Sequence, residues 1–453
     1  MASKQVRKRT PRSRTPVSVS AADSVSLVTL PDDDLLETVQ RQTFNFFWEG
    51  AHPQSGLAFD RRTARRDRTN HKTAVGGSGF GIMAIIVAVE RSWITREAAL
   101  DRLGRILDVL IAATVYHGAF PHYLNGRTGA TIPFSRKDDG GDLVETSFLC
   151  MGLLCARQYF RRGTPVETTL RARITWLWEE VEWDWYTRGG SEALYWHWSP
   201  NNDWALNHKI RGWNECLITY VLAAAAPRYP IDPVVYHHGF ASGPEFLNGQ
   251  SYYGIELPLG PPFGGPLFFP HYSFCGLDPH GLKDRYADYW EQNLRHVAIN
   301  RAHCVANPGN YLGFGESCWG LTASDDPEGY AAHAPDHDNG TISPTASLAS
   351  LPYAPREVMS TLRHFLSRLG TKIWGPYGFF DAFCEQRNWS SDNYLAIDQG
   401  PIVVMMENHR TGLLWQLFMG VPEVQTGLRK LGFSSPYLAG RTTADVSDII
   451  AAG

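Results

Sequence analysis

No pair of cysteines in this chain falls in a C-x-x-C pattern, and their total, seven, is odd. Cys150, Cys155, Cys216, Cys275, Cys304, Cys318 and Cys384 lie mostly in apolar surroundings. That excludes a zinc ribbon or a disulfide framework and predicts reduced core thiols. No apolar run is long enough for a membrane: the longest, Phe80 to Val89, falls far short of the ~20 residues a spanning helix requires. Positive charge is not in excess, and a net charge of −4 leaves no basic footprint for nucleic acid. Missing too are a G-K-[ST] phosphate loop, an H-E-x-x-H zinc helix and a G-x-S-x-G nucleophile elbow. Asp336-His337-Asp338-Asn339-Gly340 has the opening spacing of a calcium loop, but its twelfth position is Ser347 and not a carboxylate. His122 and His208 read as hydrogen-bonding groups and not as ligands. No cofactor and no metal are expected.

Before residue 30 the chain carries Lys4, Arg7, Lys8, Arg9, Arg12 and Arg14 among Ser, Thr and Pro. An export signal needs an apolar stretch that this segment lacks. A disordered basic tail over residues 1–30 and a cytoplasmic location are expected, or a periplasmic or secreted one had a signal been removed.

Aromatics, by contrast, are abundant, with 15 tryptophans. They concentrate in the stretch Tyr195–Tyr220, YWHWSPNNDWALNHKIRGWNECLITY, where an aromatic and polar loop runs into an apolar helix with Glu215 in its first turns. A carboxylate at the mouth of a buried helix is costly unless something compensates it. Aromatic faces stack on pyranose rings while carboxyls move protons, so this composition suits a sugar-cleaving site. The structural alternative is a buried pair of Glu215 with Arg211 that holds the loop.

Apolar periodicity predicts helices at Asp32–Trp48 (with Asp34 a possible N-cap), two within Ile82–Ala113 with Thr95 as N-cap between them, then Leu143–Tyr159 and Pro165–Trp183. Others follow at Glu215 onward, Asp284–Asn307, Ser343–Ser350, Ala354–Leu369, Pro401–Leu417 and Pro422–Leu431. Gly76, Gly77, Gly79 and Gly81 read as a glycine-rich lead into the second helix. The Gly/Pro-rich stretch 239–284 leaves room for one short hairpin. Helix, turn, helix, long polar loop, recurring about six times, predicts an all-α (α/α)6 toroid. No linker interrupts the series, so residues 31–453 are expected to form one domain.

Three acidic helix starts stand out: Asp142 with Glu145, Glu215, and Asp398 before Gln-Gly-Pro. Residues at i and i+3 share one helix face, so Asp142 and Glu145 point to the same loop side. Each start also has a structural reading as a cap or a dipole interaction. A toroid gathers all three in one cleft.

Several segments resemble a known family. They are FFWEGAHPQSGLAFDR (Phe46–Arg61), GGDLVETSF (Gly140–Phe148), WHWSPNNDWALNHKIRGWNE (Trp196–Glu215), LFFPHYSFCGLDPHGLKDRYADYWEQN, YLGFGESCWGLTASDDPEGY, YGFFDAFCE and YLAIDQGPIVVMMENHRTGLLW. In this order, over residues 35–435, they are similar to the glucoamylase-like domain family of bacterial endo-β-1,2-glucanases and cyclic β-1,2-glucan synthase C-terminal domains. The resemblance implies hydrolysis of β-1,2-linked glucan with inversion, with Glu215 as general acid. It also implies that Asp142 or Glu145 is the base and that Asp398 lies in the cleft. Substrate contacts are expected at Arg61, His122, Tyr123, Trp196, Trp204, Asn207, His208, Arg211, Glu316, Trp319, Tyr377 and Asp381. The expected partner is an oligo- or polysaccharide, with no nucleic acid and no membrane. Transglycosylation, another linkage, and a catalytically silent glucan-binding protein are the competing readings. Inversion would set acid and base roughly 6.5–9.5 Å apart, where a retaining pair sits at about 5–5.5 Å.

Overall fold

A computed structural model describes residues 27–63, 71–190 and 192–438. Among the described residues the helices are α1 Asp32–Trp48, α2 Val75–Glu90, α3 Arg96–Ala112, α4 Leu143–Tyr159, α5 Pro165–Glu179, α6 Leu217–Ala225, α7 Val234–His238, α8 Tyr289–Ala306, α9 Pro344–Leu348, α10 Pro355–His364, α11 Ala396–Thr411, α12 Leu413–Met419 and α13 Pro422–Lys430. None is long and apolar enough to cross a membrane. The basic tail expected over residues 1–30 lies outside the described residues as far as residue 26. Residues 28 and 30 are held by Arg363, whose guanidinium donates to both their carbonyls.

The fold is an (α/α)6 toroid, and side-chain patterning separates its two layers. α2, α4, α6 and α11 are buried on nearly every face, as inner-ring helices must be. α3 buries only Ala99, Leu103, Ile106, Leu107 and Leu110, one stripe at helical spacing, and so lies outside. The inner ring runs α2, α4, α6, the single turn Ser273–Cys275, α9 and α11, and α11 closes it against α2. Two inner members are shortened: the fourth is one 3₁₀ turn and the fifth, α9, is five residues long. The helix expected at Ser343–Ser350 is α9, whereas periodicity does not reveal a single turn such as Ser273–Cys275.

α2 begins at Val75, so the glycine run expected to precede it is helical. The reason is contact with α4. A Cβ on Gly79 would lie 2.2 Å from the Phe148 carbonyl oxygen, and one on Gly152 would lie 2.1 Å from the Gly79 carbonyl oxygen. Each glycine costs a helix about 1 kcal/mol, but only glycine lets the two backbones touch. Other boundaries move for local reasons. α8 starts at Tyr289 because Asp288 caps it, accepting from the amides of Trp290 and Glu291. α11 starts at Ala396, so Pro401 sits inside it and not at its start. α1 starts at Asp32, which puts Asp34 in the first turn and not at the cap. α6 starts at Leu217, leaving Glu215 in the turn before it. Thr95 caps α3, accepting from the Ala98 amide, and a hairpin pairs Leu247–Tyr252 with Ile255–Leu259, both as expected. All seven cysteines are free and buried.

Short strands lead directly into three inner helices: Lys72–Ala74 into α2, Gly141–Asp142 into α4 and Asn393–Leu395 into α11. Their partners are Tyr123–Asn125, His197–Trp198 and Arg61–Thr63 respectively. These ladders fasten the long loops to the N-terminal ends of the inner ring, where backbone N–H groups are free to hold anionic side chains.

Candidate active site

Asp142 ends its strand and caps α4. Its Oδ1 accepts from the amides of Val144 (3.0 Å) and Glu145 (2.9 Å). Its Oδ2 is met by His122 Nδ1 at 2.9 Å and by the Trp196 indole N–H at 3.2 Å. Burial works against a charge on His122, but Glu145 and Asp142 outweigh it and raise its pKa to about 9. At neutral pH the ring is therefore an imidazolium and donates from both nitrogens. It packs against Tyr123 and Phe134, each 4.4 Å away centroid to centroid.

Glu145 faces the start of α2, where its Oε2 accepts from the Gly76 amide at 2.7 Å. A Cβ on Gly76 would lie 2.7 Å from that same oxygen, so the glycine makes room for the carboxylate. Burial pushes the Glu145 pKa up to about 7, with His122 pulling down and Asp142 adding to the rise. Glu215 arrives from the turn before α6. Its carbonyl accepts from the Ser273 hydroxyl, and Ser273 Oγ in turn accepts from the Ile218 amide at 3.0 Å, which fixes this turn to the fourth inner member. The residue keeps some exposed surface. Protein packed around its carboxyl nevertheless pushes the pKa up to about 7; its own amide opposes the rise, and the charges of Asp142 and Glu145 add to it. Those two carboxylates act on Glu215 through charge and not through a hydrogen bond.

A second cluster sits at the start of α11. The Asp398 and Asp381 carboxyls lie close enough to act on each other's ionisation. Burial followed by their mutual repulsion pushes Asp398 well above the usual carboxylate range. Burial and the charge of Asp325 push Asp381 up to about 7. Asp398 Oδ2 and Asp381 Oδ1 are buried with no hydrogen-bond donor among the described residues, which suits two carboxyls sharing one proton. The Tyr272 hydroxyl donates to Asp398 Oδ1 at 3.4 Å, and Asp381 Oδ2 accepts from the Asp325 amide at 2.7 Å. The Asp325 carboxylate is itself held by Arg61, Ser391 and Asn393. The two clusters are near enough that the charges of Asp398 and Glu215 both act on the Tyr272 hydroxyl. Asp60 likewise acts on Glu145 and on Tyr330.

The sixteen expected site residues are not all brought together. Asp142, Glu145, Glu215, His122, Tyr123 and Trp196 share the first cluster, and Asp398, Asp381 and Arg61 the second. His208 stacks on Trp196 at 4.9 Å with rings 10° apart. Trp204, an expected substrate contact, and Trp198 pack with Trp185, in a partly exposed aromatic shelf that includes His117 and Tyr195. Asn207 is an exposed acceptor for Arg188 on that shelf. Arg211 is exposed and donates to the His238 carbonyl; among the described residues no ion pair joins it to Glu215, so the loop-holding alternative fails. Glu316 is exposed in a turn whose carbonyl Arg301 holds. Trp319 is fully buried and offers no face to a ligand, and Tyr377 packs in the core against Phe46 and Tyr394. Tryptophan and tyrosine near a motif glutamate look alike in sequence whether they line a core or a cleft. Residues not foreseen are Gly76, Tyr272, Asp325 and Asp138, the last pushed up to about 7 by burial and by Asp142. Asp138 pairs with His197. The strand-to-helix step at Gly140–Asp142 was the one visible hint of it.

A family model named Glycoamylase and described as "Putative glucoamylase" matches residues 207–422. A crystal structure from Bacteroides uniformis with the same description is 55% identical, covers 90% of this chain and 99% of its own, and superposes with a TM-score of 0.88. An endo-β-1,2-glucanase from Chitinophaga pinensis, solved with sophorotriose and glucose, is 53% identical at the same TM-score, with 90% of this chain and 100% of that chain covered. The chain belongs to the glucoamylase-like family. Within it, an exo β-1,2-glucooligosaccharide sophorohydrolase (non-reducing end) from Parabacteroides distasonis is 47% identical over 433 residues. That match takes in 90% of this chain, and the chain spans only 60% of that curated relative.

Proposed function

We propose that this glucoamylase-like chain hydrolyses β-1,2-linked glucan with inversion, as one catalytic domain from residue 31 onward. The observation that carries the reading is the pair Glu215 and Glu145. They are two carboxyls at neighbouring inner-helix starts, Glu145 buried and Glu215 half-buried, each with its pKa raised to about 7. Acids poised there can give and take protons at the working pH. Sophorotriose in the Chitinophaga pinensis glucanase and the β-1,2-glucooligosaccharide in the Parabacteroides distasonis relative's name support the linkage.

Glu215 donates its proton to the leaving glycosidic oxygen, directly or through a substrate hydroxyl. Glu145 takes a proton from the water that attacks the anomeric carbon on the opposite face. One C–O bond breaks, one forms, and the two glutamates exchange protonation states before solvent resets them. Asp142 is a weaker base candidate, because its two oxygens already take four hydrogen bonds. It instead keeps His122 charged, and His122 lowers the pKa of Glu145. A second reading gives the base to Asp398, favoured by its position at Tyr272, on which Glu215 also acts. The aromatic shelf of Trp185, Trp198 and Trp204 suits stacking of further sugar units.

The test is a panel of β-1,2-, β-1,3-, β-1,4- and β-1,6-glucans, with product sizes followed in time and the new reducing end observed by NMR. β-1,2-Glucan should be cut and the α-anomer should appear first. A cut at another linkage alone sinks the substrate assignment, the β-anomer appearing first sinks inversion, and products longer than the substrate mark transglycosylation. Early products of mixed length mark endo action, and sophorose alone marks exo action.

A further inference from the structure

Away from both carboxyl clusters, Cys318, His364 and Glu385 each bring one ligand atom to a common point, all three within 4.8 Å of one another. They come from three separate segments: the turn Gly315–Cys318, the last residue of α10, and the residue that follows the strand Phe383–Cys384. Two of these side chains carry a polar atom that the fold leaves unused. His364 Nε2 and Glu385 Oε1 are buried and, among the described residues, have no hydrogen-bond partner. Cys318 is a free thiol only 2% exposed. Buried polar atoms are seldom left unpaired, and three converging ones that all serve as metal ligands have a common explanation.

The surroundings are built to hold the three together. Ser317 and Ser360 hydrogen-bond at 2.8 Å, tying the turn to α10 one residue before the cysteine and one helical turn before the histidine. The Leu312 amide donates to Gln386 at 3.0 Å, tying the same loop to the segment after Glu385. Between these ties Gly313 has φ +96°, and a Cβ there would lie 2.5 Å from Glu385 Oε1. Only a glycine leaves room for that carboxylate.

We propose that Cys318, His364 and Glu385 form a zinc site that fastens the 383–390 hairpin to α10 and the 315–318 turn. One thiolate, one imidazole and one carboxylate make a borderline-soft donor set that suits zinc, whereas calcium and magnesium take oxygen donors. Tetrahedral zinc with bonds of about 2.0–2.3 Å sets its ligands roughly 3.3–3.8 Å apart, inside the spacing found here. The thiol proton leaves to solvent as the metal binds. A water completes the fourth position. The hairpin then leads through Ser391 to Asn393, both of which hold the Asp325 carboxylate beside Arg61 and Asp381. The metal would act as a structural pin behind the second carboxyl cluster.

The full chain, purified without chelator or metal-affinity tag, should carry about one zinc per molecule by elemental analysis. After removal by a chelator, added cobalt should give a thiolate-to-cobalt charge-transfer band in the near ultraviolet. Cys318→Ser should abolish that band, and His364→Ala should lower bound zinc at least about tenfold, while Cys150→Ala, in α4, should retain both. The wild-type measurements need no variant to fold. A wild-type chain that takes up neither zinc nor cobalt overturns the proposal, as does a cobalt–thiolate band that survives Cys318→Ser.

Discussion

Replacing Glu215 by Gln keeps the shape of the side chain and removes its proton, and the surroundings set the size of two separate effects. The first is on rate. A general acid contributes about 10²–10⁴-fold, or about 3–5 kcal/mol of barrier, so kcat for β-1,2-glucan should fall by at least ~100-fold. The second is on stability, and its sign follows from the raised pKa. Folding moves the group from an ordinary value of 4.5 to about 7, so the folded protein favours the protonated acid. That contribution is fully present below pH 4.5 and is lost as the pH rises through 7. A shift of this size corresponds to about 3 kcal/mol, an order-of-magnitude figure. Glutamine does not ionise, so the difference in stability between variant and wild type should move in favour of the variant by up to about 3 kcal/mol between pH 4.5 and pH 8. Urea unfolding of both proteins at several pH values reads that difference, because the other titrating groups are common to both. Initial rates on β-1,2-glucan across the same range read the first effect, and the alkaline limb near pH 7 should vanish with the acid. A variant within tenfold of wild-type kcat, or a stability difference flat with pH, would refute the reasoning.

His122→Asn removes the charge that restrains the Glu145 pKa, so the acidic limb of the pH–rate profile should move upward by about a unit; an unmoved limb removes His122 from this role. Gly76→Ala gains about 1 kcal/mol of helix propensity but sets a methyl group 2.7 Å from Glu145 Oε2. Its kcat should fall at least about tenfold as the 2.7 Å bond is disturbed, and unchanged steady-state kinetics would show that the carboxylate has room to move. Asp381→Asn leaves Asp398 with a neutral neighbour that can donate to it, so Asp398 should ionise more readily. Both raised carboxyls favour the folded state below their folded pKa values, and that stability is lost through neutrality and above. The variant should therefore lose less stability between pH 5 and pH 8 than wild type in urea titrations, and an equal loss would deny that the pair shares a proton.

Where a structural property depends on neighbours in sequence, the chain was readable. Thr95 and Asp142 cap their helices, the apolar spacing of α1 marks its core face, and Leu143–Tyr159 begins and ends as the pattern predicts. What could not be read is set by contacts across the fold. Gly76–Gly81 looks like a loop because glycine is a poor helix former, yet the helix needs glycine there because α4 leaves no room for a Cβ on Gly76 or Gly79, α11 none on Gly77 and α1 none on Gly81. The turn Ser273–Cys275 stands where a full inner helix would be expected, held by hydrogen bonds to Glu215 and Ile218 that no local pattern announces. Asp325 and Tyr272 look ordinary in sequence and become site residues only when Arg61 and Asp398 meet them. The aromatic loop misled in the opposite direction. Its tryptophans lie near Glu215 in sequence and suit a sugar site, yet Trp213 packs in the core with Phe274 and Tyr289, while Trp204 joins the outer shelf.

The strand-to-helix steps explain why acids recur at these positions and why they do different work. Each inner helix presents free amides at its start, and Asp142 takes two of them and becomes a fixed negative charge. Glu145, one turn further in, receives an amide from the neighbouring helix instead, so it stays buried and closer to neutrality. Glu215 lies before its helix and not within it, where its carboxyl meets fewer donors, and its proton is held most by desolvation. Asp398, inside α11, finds another carboxyl where the others find donors. A single architectural device thus yields an anchored charge, two acids poised at neutral pH and one shared proton. The differences follow from how many N–H groups each carboxyl meets, a count decided by one or two residues of helix register.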